Sequence, residues 1–84
     1  MTRQKGVIKF TNIGKEGTLY GYITLDEKVH DYDGDVIFFE NNLKEIDFSS
    51  LEKDMKVEFL MEPYKEIYRA YDITAVPNQI SKPI

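Results

Sequence analysis

Apolar and polar residues alternate with a period of two along most of the chain, and no segment keeps apolar residues at helical spacing long enough for a substantial helix. This pattern predicts a mostly β protein. A first strand is expected over Lys5 to Asn12, ending in Gly14-Lys15-Glu16-Gly17, where two glycines allow turn conformations that other residues resist. A second begins near Thr18. From Leu19 to Leu25, residues Leu19, Ile23 and Leu25 fall on one face and Tyr20, Tyr22 and Thr24 on the other. The acidic, polar stretch from Asp26 to Gly34 reads as an exposed loop leading to a third strand, Asp35 to Phe39, apolar on both faces. Asn41 to Ser50 reads as a long connection holding a single helical turn, and Ser49-Ser50-Leu51-Glu52 as a capping box opening a second. Met55 to Met61 predicts a fourth strand with Val57 and Phe59 inward, and Tyr68 to Val76 a fifth running through Tyr71, Ile73 and Ala75, with Pro63 in the loop between them. The tail, residues 77–84, carries two prolines and little pattern, and is expected to fray.

Five short strands in one small domain leave exposed edges unless the sheet closes on itself. An all-β, five-stranded antiparallel OB-type Greek-key barrel over residues 1–76 is the economical solution; a small sandwich or an SH3-like barrel satisfies the same strand count.

Composition adds limits. The 84 residues suffice for one domain, there is no cysteine to staple a modest core, and marginal stability is the expectation. Without cysteine there is no thiol nucleophile or thiolate zinc site. No continuous apolar stretch reaches the length of a signal peptide or membrane span, so a cytoplasmic protein without a membrane role is expected. The net charge of −4 and pI near 4.9 argue against a strongly basic nucleic-acid binder, unless the carboxylates are segregated from a neutral or locally basic face.

Candidate chemistry narrows the picture further. His30, Asp31, Asp33 and Asp35 resemble the start of a calcium-binding loop, but the required glycine position is Val36 and the terminal ligand position is Asn42, which leaves a solvated acidic loop. The one histidine has no nucleophile partnered with it, and Gly14-Lys15-Glu16-Gly17 is too short for a phosphate-binding P-loop, so neither an enzyme nor a cofactor is expected.

Lys5-Gly6-Val7-Ile8-Lys9-Phe10-Thr11-Asn12 resembles the opening Gly-x-Val-Lys-Trp-Phe-Asn strand of cold-shock domains. Leu19-Tyr20-Gly21-Tyr22-Ile23-Thr24 is similar to that family's first ribonucleoprotein motif and Asp35-Val36-Ile37-Phe38-Phe39 to its second, in the same order. The spacing from Leu43 through Leu51, Val57 and Phe59 to Ala70 and Ile73 also fits, with longer loops before Tyr20 and between Asp26 and Gly34. The resemblance implies an OB barrel that binds single-stranded RNA or DNA with low selectivity, as an RNA chaperone or regulator. Carried over by position, it implies a binding face of Lys9, Phe10, Asn12, Tyr20, Tyr22, Ile37, Phe39 and Phe48.

The physical basis would be stacking of unpaired bases on the rings, at roughly 1–3 kcal/mol per base. Lys9 and Lys15 would meet phosphates, whereas Arg69 is expected to be a solvated charge. Adjacent positions point opposite ways, so at least one of Phe38 and Phe39 should be core, and the resemblance implies Phe38 inside and Phe39 outside. Phe10 shares the alternation of Ile8, so it can face outward only if the first strand bends or bulges. Phe48 is either a lid over the barrel end or a stacking ring. Departures from the family pattern at Phe10, Leu19, Ile37, Phe39 and Glu40 reduce both positive charge and stacking area, so weaker affinity than a typical member's is expected. The rival is an OB-like module whose aromatic face packs on a protein partner or in a weak homodimer.

Overall fold

The computed structural model describes residues 2–76. The expectation of a frayed tail falls on residues 77–84 and lies outside them. Five strands form a closed barrel: β1 (Gln4–Ile13), β2 (Leu19–Leu25), β3 (Asp35–Phe39), β4 (Lys56–Tyr64) and β5 (Ile67–Ala75), with two 3-10 turns at Glu40–Asn42 and Phe48–Ser50. The order around the barrel is β1-β2-β3-β5-β4, an OB-type arrangement. It closes through β1, whose first half pairs with both β2 and β4: Gly6 stands opposite Leu25 on one side and Val57 on the other. All neighbours are antiparallel except β3 and β5, which run parallel, so the expected all-antiparallel sheet is corrected at this one seam. The seam has only two paired positions, Val36 with Tyr68 and Ile37 with Arg69.

Ile8, Ile23, Val36, Phe38, Val57, Phe59, Ala70 and Ile73 are fully buried inside the barrel, with Leu51 closing one end. Two irregularities decide which side chains reach this core. In β1 the register against β2 shifts between Ile8 and Phe10, leaving Lys9 as the extra residue of a bulge; Ile8 stays inside and Phe10 turns outward. In β5 the register against β4 shifts between Glu58 and Leu60, where Asp72 adopts a left-handed conformation with φ of 54°. The extra residue turns Ala70 and Ile73 inward together, so of the Tyr71, Ile73 and Ala75 positions through which the strand was expected to run only Ile73 is buried.

Arg3 locks that second bulge. Its guanidinium donates to the Asp72 carbonyl (2.8 Å), the Asp72 carboxylate (3.1 Å), Thr74 Oγ1 (2.8 Å) and the Glu58 carbonyl (3.0 Å). Lys44 adds a second cation 3.6 Å from Asp72.

The connections depart from expectation in three places. Pro63 lies within β4 opposite Tyr68, not in a loop; beyond Phe59 this strand has β5 alone as its ladder partner, so a residue without an N–H is accommodated. The turn is the two-residue Lys65-Glu66, with Lys65 at φ of 56°. Ser49 opens no helix: Phe48–Ser50 is a 3-10 turn in which Ser50 Oγ donates to the Asp47 carbonyl, and a separate turn closes with Met55 N–H donating to the Glu52 carbonyl.

Within the expected loop of residues 26–34, Val29 and Tyr32 bridge across His30 and Asp31, both left-handed at φ of 53° and 64°. Tyr32 is therefore half-buried rather than solvated. Its ring lies 5.0 Å from that of Tyr68, and its hydroxyl donates to the Asp35 carbonyl at 2.7 Å. Burial, then the nearby Asp35 and Asp33 carboxylates and Tyr68, push the Tyr32 phenol above its ordinary value of 10.0.

Candidate nucleic-acid interface

Residues paired across neighbouring strands share a face, so the register arranges the outer side chains in rungs. One rung is Asn12, Tyr20 and Phe39 across β1, β2 and β3. The next is Phe10, Tyr22 and Ile37, extended across the parallel seam to Arg69 of β5. Six of the eight sequence-predicted residues thus meet on one patch, and it is the β1 bulge that brings Phe10 onto it.

The rings touch within and between rungs. Phe10 and Tyr22 have centroids 5.3 Å apart, and Tyr20 stands edge-on to Tyr22 at 6.2 Å. Phe10 is 42% exposed, which is unusual for phenylalanine and leaves a ring face open to a planar partner. Asn12 Oδ1 accepts the backbone N–H of Ile13 at 2.8 Å, fixing the end of β1 beside Tyr20.

The remaining two predicted residues sit differently. Lys9 occupies the bulge and makes an ion pair with Asp35 at 2.7 Å, so its charge is already countered. Phe48 packs against the core, 6.4 Å from Phe38, and closes the barrel end. It also lines a groove of about 710 Å³ with Ile13, Leu19, Glu40 and Ile46, adjoining the Asn12–Tyr20 rung; Ile13 on its rim is 64% exposed.

No protein-family model matches the chain, and no curated protein matches it.

Sequence reasoning missed Tyr64. This residue ends β4, its ring 5.9 Å from that of Phe39, with the Lys65 ammonium 5.5 Å and the Arg69 guanidinium 5.4 Å from its centroid. Placing Pro63 in a loop hid it; a strand continuing through Pro63 to a two-residue turn would have revealed a fifth ring beside the four of the patch. Arg69 is less solvated than expected, held by Glu62 and Tyr64. Lys65 has no carboxylate in ion-pair range among the described residues.

The patch offers ring faces, aliphatic area at Ile37 and few unpaired cations. Among the described residues no three side chains of His, Cys, Asp or Glu converge to hold a metal ion, and no helix is long and apolar enough to cross a membrane.

Proposed function

We propose that this chain binds single-stranded RNA or DNA by stacking bases on the outer face of β1, β2 and β3, as the resemblance to cold-shock domains implies. The observation that carries the reading is the two-rung grid: Phe10, Tyr20, Tyr22 and Phe39 occupy matched positions on adjacent strands, with Phe10 turned outward by a bulge. Burying Phe10 would have required only regular alternation. Duplex stacks its bases internally and presents few free ring faces, so the patch selects single strands. A cysteine-free binding module of this kind suits the reducing cytoplasm, where we place it.

Titration of a labelled single-stranded oligonucleotide, followed by anisotropy and set against a duplex of equal length, tests the reading. Saturable binding to the single strand, weakened by Tyr20→Ala and Tyr22→Ala in folded protein, is the expected result. Absence of binding at low salt would sink the proposal.

One observation favours a second reading, docking of a protein on the same face: Lys9 and Arg69 are both countered by carboxylates, leaving little positive charge for phosphates. Salt separates the two, because strand binding should weaken with a logarithmic slope of roughly −0.7 per phosphate contact whereas protein docking need not.

A further inference from the structure

Beyond Ile37 the outer face does not end at the seam. A cleft of about 520 Å³ lies between Ile37 and the β4–β5 turn, lined also by Tyr64, Lys65, Glu66 and Ile67. Ile37 is the rung neighbour of Tyr22 and also lines the cleft, so the cleft and the stacking platform share this residue. Its lining combines the Tyr64 ring and two isoleucines with the charged Lys65 and Glu66, so ring and aliphatic area for a flat apolar-faced group lie beside charged side chains. The cation at its mouth, Lys65, rests on the Tyr64 ring with no carboxylate in range among the described residues, unlike Lys9 and Arg69.

We infer that this cleft is a further nucleotide subsite, in which Tyr64 stacks one base and Lys65 pairs with its phosphate; the inference rests on the single-strand reading above. Two observations commit the occupant. The cleft shares Ile37 with the platform rung, so a strand lying across Phe10 and Tyr22 toward β3 meets it next. The charge is also complementary, because a base lying on Tyr64 displaces the Lys65 ammonium from the ring and a phosphate replaces that lost cation–π contact. Arg69 remains against Tyr64 with Glu62 and holds the ring upright as a positioning residue.

Tyr64 lies outside the core cluster, so its truncation should leave the barrel folded. The test is anisotropy of a labelled oligothymidylate of about twelve nucleotides, within the span one OB fold covers. Wild type, Tyr64→Ala, Tyr64→Phe and Tyr22→Ala are compared, with thermal melts as the folding control. Tyr64→Ala should weaken binding about five-fold or more while Tyr64→Phe stays within about two-fold of wild type. Methyl resonances of Ile37 and Ile67 should shift on saturation in wild type and not in Tyr64→Ala. If Tyr22→Ala loses affinity while Tyr64→Ala binds as wild type, the subsite is refuted and the platform stands. If wild type itself does not bind, both fall together.

Discussion

Gly21 lies on the inner side of β2, between Thr11 of β1 and Phe38 of β3, and its replacement by alanine probes how tightly the platform is tied to the core. A Cβ at this position would stand 2.6 Å from the Phe10 carbonyl oxygen and 2.7 and 2.8 Å from Phe38 Cζ and Cε1. Phe38 is fully buried and has no space to swing into, and the carbonyl belongs to the backbone just past the β1 bulge. Overpacking of this kind costs about 1–3 kcal/mol. At about 4–8 °C per kcal/mol for a domain of this size, the midpoint of thermal unfolding should fall by at least ~4 °C. Binding should weaken as well, because the backbone that must give way carries Phe10. Gly14→Ala serves as the control, since its Cβ meets nothing nearer than 3.5 Å. Circular-dichroism melts and urea titrations of both variants measure the difference. A Gly21→Ala protein with unchanged Tm and urea midpoint would refute the reasoning that links this close approach to the outward turn of Phe10.

Three further outcomes follow from other contacts. Arg3→Ala removes a donor serving four acceptors around the Asp72 bulge and should destabilise by about 1.5–3 kcal/mol in urea unfolding. Asp35→Asn frees Lys9 at little cost in stability, because exposed pairs contribute about 1 kcal/mol or less; single-strand affinity should rise up to about five-fold and the salt slope steepen by roughly 0.7, read by anisotropy at several salt concentrations. The Tyr32 phenol, raised in the folded state, contributes stability that is fully present below its ordinary value of 10.0 and lost as pH rises through the folded value. Melts from about pH 8 to about pH 11 should therefore show a steeper alkaline loss for wild type than for Tyr32→Phe.

Much of the barrel was legible because period-two alternation survives wherever a strand has one wet and one dry face. Leu19 to Leu25 and Asp35 to Phe39 have the bounds the pattern predicts. The β1 bulge was legible too, through a conflict: Ile8 and Phe10 share an alternation phase but not a role. The β5 bulge left no such conflict, because Ala70, Tyr71, Ile73 and Ala75 are all apolar and either phase reads as a core face. Asp72 at positive φ is set by Arg3, almost the whole chain away, and nothing local announces it. The same distance hid the countering of Lys9 by Asp35, a pairing made by the β1–β2–β3 register. Tyr64 was lost to a local rule, since proline ordinarily ends a strand and here does not. On the candidate face, the sequence brought six of its eight residues onto one patch, but Tyr64 and the pairing of the charges were not legible.

The parallel seam between β3 and β5 carries two paired positions, against seven between β4 and β5. With so few bonds to break, this joint is expected to open before the others, so amide hydrogens flanking it should exchange through local opening well below the cost of global unfolding. The Phe10–Tyr22–Ile37–Arg69 rung crosses that joint. A strand seated from Tyr22 to Tyr64 would therefore act as a clasp, slowing exchange at Ile37 and Arg69 more than at β1, and occupancy and closure of the barrel would rise and fall together.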